Sequence, residues 1–124
     1  MWEIETTDSF ERDQKHYRKK HSRELAAVLA NLDRYLKLLR KAPNSKAVVP
    51  AGFLHAEPAG VMAIDQKSGG PGLQETRLYT FADDRTQTLW LITIGNKNEQ
   101  PDDIQFSRKF VESLRDDESA TASD

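Results

Sequence analysis

Thr88–Ile94 reads Thr, Leu, Trp, Leu, Ile, Thr, Ile and is the most β-prone run of the chain. Its near-continuous hydrophobicity marks a central strand, because a strand with one wet face alternates apolar and polar residues. A sheet must therefore form around it. Gly95-Asn96 ends the run, and a helix is expected from about Asp102 to Leu114, with Ile104, Phe106, Phe110, Val111 and Leu114 as its apolar contacts. Upstream, Leu73–Phe81 reads as a second strand, closed by an Asp83-Asp84 turn. Leu73, Glu75, Arg77, Tyr79 and Phe81 share one side of that strand, and Gln74, Thr76, Leu78 and Thr80 share the other. Arg77 and Lys97 sit at opposite ends of the two-strand unit, so a hairpin folds the two cations toward one another.

The remaining elements precede this unit. Trp2-Glu3-Ile4-Glu5-Thr6 alternates and reads as a short strand with Trp2 and Ile4 facing inward. Asp8 offers an N-cap, with Glu11 at capping-box spacing, for a helix over about Ser9–Lys20. Leu25, Val28, Leu29, Leu32, Leu36 and Leu39 recur every three or four residues and define a second helix, with Ser22 as its candidate cap and Pro43-Asn44 as its stop. No Gly or Pro separates the two, so a helical hairpin and one long kinked helix both satisfy the local signals. Residues 42–60 are loop-like, with a short extended piece at Phe53–His55. Val61-Met62-Ala63-Ile64 reads as a strand. Lys67–Gly72 is a turn; it lacks the GxxxxGK[ST] spacing of a phosphate-binding loop. The expected order is β-α-α-β-β-β-α: an α+β fold with two N-terminal helices on a small antiparallel sheet. One domain spans 1–115, and the acidic, small-residue tail 116–124 is expected to be disordered.

Composition narrows the function classes. No cysteine is present, which removes disulfides and thiolate metal sites and is compatible with a reducing cytoplasm. The first ten residues carry neither the basic nor the apolar region of a signal peptide, and no apolar run approaches the ~20 residues of a membrane span. A cytoplasmic location is expected. Net charge is −2, but its distribution is uneven. Residues 11–41 hold ten Lys/Arg against four Asp/Glu, whereas 101–124 hold three against seven. The basic block fits either a solvated helix surface or a phosphate or acidic partner. His16 and His21 do not share a helical face, so no metal site is expected.

With its elements in this order, the chain resembles the RelE/ParE/HigB-like toxins of bacterial type II toxin–antitoxin systems. The resemblance covers nearly all of residues 2–115. It is carried by Glu75-Thr76-Arg77-Leu78-Tyr79 and by Leu91-Ile92-Thr93-Ile94-Gly95-Asn96-Lys97. Family members bear an Arg on the middle strand and a basic residue soon after the Gly that ends the last one.

What the resemblance implies is a toxin that enters the ribosome and cuts mRNA without a metal or cofactor, held in check by a cognate antitoxin. The ribose 2′-hydroxyl attacks the adjacent phosphate, which calls for a base, cations on the phosphorane and an acid for the leaving oxygen. Arg77 and Lys97 take the cationic roles. His55 is a candidate for proton transfer, and Lys67, Tyr79 and Arg85 are candidates for RNA contact. Met62, Ile64 and Asp103 stand where well-known members carry two Lys and a Tyr. Two alternatives accompany this reading: a non-catalytic binding module on the same fold, and a gyrase-directed toxin of the ParE kind. Each candidate also has a plain structural role open to it. Arg77 can pair with Glu75 or Glu99, and Lys97 can be a solvated turn residue. Asp102 and Asp103 can serve the dipole of the last helix.

Overall fold

The computed structural model describes residues 1–50 and 52–122, with side chains to Asp117. Its elements are β1 (Glu3–Thr6), α1 (Asp8–Lys20), α2 (Ser22–Lys41), β2 (Leu54–Ala56), β3 (Val61–Asp65), β4 (Thr76–Asp83), β5 (Thr88–Asn96) and α3 (Gln100–Ala122). The class is α+β, with three helices on a five-stranded sheet ordered β1-β5-β4-β3-β2. β2, β3, β4 and β5 run antiparallel in sequence, whereas β1 lies parallel to β5. The sheet is therefore mixed rather than antiparallel, and it has one more strand than expected. β2 occupies the place of the short extended piece near Phe53–His55.

β5 takes the central position its composition demands, between β1 and β4. Alternation then distributes its neighbours. Leu54, Met62, Ile64, Leu78 and Ala82 face α1 and α2, together with Phe10, Tyr17, Leu25, Val28, Leu32, Tyr35, Leu36 and Leu39. Val61, Ala63, Tyr79 and Ile92 face α3, where Val111, Ile104 and Phe110 cover them. The arrangement is three layers, with the sheet in the middle. A β-bulge between Tyr79 and Thr80 adjusts the β4–β5 register midway along the pair.

Several boundaries differ from expectation. α1 is capped by Thr7, whose hydroxyl accepts the Phe10 N–H at 3.0 Å, rather than by Asp8. The two helices are separate. His21, at φ −142° and ψ 53°, breaks the helical path while its N–H still reaches the Tyr17 carbonyl. β1 is an edge strand with all four residues exposed, so Ile4 does not face inward, although Trp2 just before it is buried. β4 begins at Thr76 and leaves Leu73 outside the strand. α3 is longer than expected. It runs on to Ala122 through most of the segment expected to be disordered; 123 and 124 lie outside the described residues. Its buried stripe passes through Ser107 and Val111, so Phe106, one step off that stripe, is exposed.

Candidate functional site

Three residues fall into register across the middle of the sheet. Gly95 of β5 lies opposite Arg77 of β4, and Arg77 lies opposite Asp65 of β3. Directly opposed residues point to the same face, here the face that carries α3. β2 extends the row, because His55 Nε2 lies 2.7 Å from Asp65 Oδ2. A titratable ring, a buried carboxylate and a guanidinium thus line up on adjacent strands. The sequence offered His55 and Arg77 separately. Asp65 was missed, because one Asp at the end of an apolar strand carries no local signal of its partner ten residues away.

Asp65 is the fixed point of the cluster. It is 3% exposed, and a buried carboxylate needs donors. Its Oδ1 accepts the Lys67 N–H at 2.7 Å, and its Oδ2 faces His55 and, at 3.8 Å, the Lys67 ammonium. Lys67 also donates to the Gly52 carbonyl at 3.0 Å, so this cation is tied to the loop that leads into β2. Asn31 of α2 donates to the carbonyls of Asp65 and Lys67 at 2.8 and 2.9 Å, pinning the end of β3 to the helix behind it. The His55 ring is 30% exposed, so it is held from within and open to solvent without.

Arg77 lies between two carboxylates. Its terminal nitrogens approach Glu57 at 3.6 Å and Glu75 at 3.5 Å, and its Nε is buried without a hydrogen-bond partner. Gln100, the first residue of α3, donates to Glu75 at 3.3 Å and connects the helix start to this cluster. The expected pairing of Arg77 with Glu75 is present, but Glu57 rather than Glu99 is the second acid. Glu99 is used elsewhere: it completes a capping box with Asn96 on the turn that carries Lys97. Lys97 is exposed on that turn, two residues past Gly95, and among the described residues no bond ties it to the Arg77 cluster.

Beside this row the α3 face holds further polar groups with little company. Asp103 packs directly on Gly95, and a Cβ at position 95 would collide with its Oδ2. Gly95 therefore exists for close approach rather than to end the strand, and β5 continues past it to Asn96. Burial, followed by the nearby charges of Glu99, Asp13 and Asp102, pushes the Asp103 carboxyl up to about 7. Tyr79 is fully buried, so its ring presents no surface to a nucleobase, contrary to expectation. Burial and then Asp103 raise its phenol, with Arg77 pulling the other way. Tyr79 Oη, Asp103 Oδ2 and Ser107 Oγ are all buried with no hydrogen-bond partner.

The other expected residues are not gathered here. Arg85 lies in the β4–β5 turn, at the far end of β4 from Arg77, where its N–H meets the Asp83 carboxylate at 3.1 Å. It borders a groove of about 490 Å³ floored by Val61, Met62 and Phe81. Met62 and Ile64 face α1 and α2, on the opposite side of the sheet from Arg77. Among the described residues, no group of three His, Cys, Asp or Glu is arranged to hold a metal ion, and no helix is long and apolar enough to cross a membrane. No protein-family model and no curated protein matches this chain.

Proposed function

We propose that this chain is a RelE-like toxin of a type II toxin–antitoxin pair that cuts mRNA on the ribosome. The observation that carries the proposal is the row His55–Asp65–Arg77 on adjacent strands. Asp65 orients the His55 ring through Nε2, leaving the ring able to take the proton of a ribose 2′-hydroxyl or return one to a leaving oxygen. Arg77 supplies fixed positive charge where a phosphorane develops it in the opposite sense. Glu57 and Glu75 hold the guanidinium in place in the free protein, and an arriving phosphate competes with them for it. Lys97 adds a mobile point charge from its turn. A cognate antitoxin is the expected partner, and the chemistry calls for no cofactor.

Induced expression in bacteria tests this reading. Wild type is expected to arrest growth and cut translated messages. His55→Ala should lower cleavage by about 10²–10⁴-fold, the usual contribution of a proton-transfer group, and Arg77→Ala should abolish arrest. A wild-type chain that neither slows growth nor cuts mRNA overturns the proposal.

A second reading has its own support. Two carboxylates already neutralise Arg77, and the strand positions matched to the family's Lys pair, Met62 and Ile64, face the other side of the sheet. Both features suit a non-catalytic module on the same fold. A stable protein partner in a pull-down, with messages left intact, would favour it.

A further inference from the structure

The uneven charge of the chain has a spatial counterpart on α1. Phe10 and Tyr17 are its buried residues. At 100° per residue, Arg12, Lys15 and Lys19 fall on the opposite side, and all three are exposed. They form one stripe about 10 Å long, from the helical rise of 1.5 Å per residue. Arg18 and Lys20 flank it in the last turn and are also exposed. Among the described residues, none of these five cations enters an ion pair.

The acids of the same stretch do not balance them. Asp13 points inward and accepts the Thr93 hydroxyl at 2.6 Å and the Ile94 N–H at 2.9 Å. Asp8 and Glu11 stand four residues before Arg12 and Lys15 but, among the described residues, form no ion pair with them, and both lie at the other end of the helix from Arg18, Lys19 and Lys20. Unpaired cations repel one another, so a face of this kind costs stability in the free protein. A polyanion offsets that cost. A protein partner fits the face poorly, because protein interfaces are anchored by buried apolar and aromatic side chains. The large exposed hydrophobics are Met1, Ile4, Leu38, Val49 and Phe106, and none is on α1.

We infer that the outer face of α1 is a docking surface for the phosphate backbone of structured RNA, with Arg12, Lys15 and Lys19 as its core. It lies on the side of the sheet away from Arg77, so it holds RNA without presenting it for cleavage. The choice of RNA over DNA rests on the reading under Proposed function; the cationic stripe does not.

The test is binding of the full chain to an RNA duplex of about 16 bp, followed by fluorescence anisotropy between about 50 and 200 mM salt. Wild type should bind with a steep salt dependence. The triple variant R12Q/K15Q/K19Q, checked for wild-type circular dichroism, should bind at least about tenfold more weakly. Its slope of log K against log salt should fall by about 2–3, since each lost phosphate contact removes about 0.7–0.9. An unchanged slope in the triple variant overturns the inference. So does tighter binding of a matched DNA duplex, or poly-glutamate binding equal to that of RNA. The same preparations are scored for mRNA cleavage: RNA binding without cleavage defeats the proposed activity and leaves this surface standing.

Discussion

The two faces of the sheet are finished differently. Toward α1 and α2 the packing is apolar and extensive, with Ile64, Leu78, Leu89 and Leu39 at most 1% exposed. Polar groups on that side are matched: Asn31 with two carbonyls, and the Thr80 hydroxyl with the Met62 carbonyl at 2.8 Å. Toward α3 the buried cluster is smaller, and four polar atoms beside it, on Arg77, Tyr79, Asp103 and Ser107, lack partners. An unmatched buried group costs about 1–3 kcal/mol, so one face stores stability and the other gives some of it up. The face that gives it up is the one carrying Arg77, Asp65 and His55. Functional sites are commonly placed where local rules are relaxed.

Like-for-like deletions would break or sharpen that contrast. Ile64 and Ile92 are both fully buried, one on each face. Removing such a side chain to Ala costs about 2–5 kcal/mol. Ile64→Ala should fall in the upper half of that range and Ile92→Ala in the lower half, read from urea midpoints at constant m-value. Equal losses would mean that α3 packs as firmly as the helix pair. Next in size is Gly95→Ala, which forces a methyl into the Asp103 carboxylate and should cost about 1–3 kcal/mol. The double variant Gly95→Ala/Asp103→Ala should recover most of that loss. Additive losses in this cycle would mean that the two residues do not share the space.

A smaller effect separates the faces by pH. The Asp103 carboxyl is raised from its ordinary 3.8 to about 7. The native state therefore binds more protons than the unfolded chain between those values, and stability must fall as pH rises through that window. The contribution is intact below about pH 4 and gone above about pH 7. Asp103→Asn should flatten the profile of Tm against pH, while Asp13→Asn, which removes only one of the neighbouring charges that raise Asp103, should flatten it in part. The smallest effect is expected from Phe106→Ser. Its ring is 45% exposed on α3, and the change should stay within about 0.5 kcal/mol.

Legibility differed between the elements and the site. The strand at 88–94, the helix at 22–41 and the side assignment of Arg77 and Tyr79 against Leu78 and Thr80 were all readable, because each follows from a period of two or 3.6. Phe106, expected among the apolar contacts of α3, is exposed, and Ser107 beside it is buried. Periodicity counts apolar residues, and α3 buries a serine and one carboxylate oxygen of Asp103 on its inner stripe. The site was half readable. His55 and Arg77 stand out by type. Asp65, Glu57 and Asp103 matter only through what the sheet register and the start of α3 bring against them. Lys67 and Arg85 were chosen for charge, yet one is tied to the loop before β2 and the other lies at the opposite end of β4.

By itself the sequence determined a central β5, an amphipathic α2 that had to lie on a sheet, and a basic α1 set apart from an acidic C-terminal stretch. These are properties of residue spacing and charge, which act over one or two turns or a single strand. The tertiary structure decided the parallel pairing of β1 with β5, which joins residues some 85 positions apart. It also decided that Gly95 makes room for a carboxylate, and that His55, Asp65 and Arg77 form one row. Such contacts depend on which strands become neighbours and on where α3 is laid across them, and the period of a single strand or helix names neither partner.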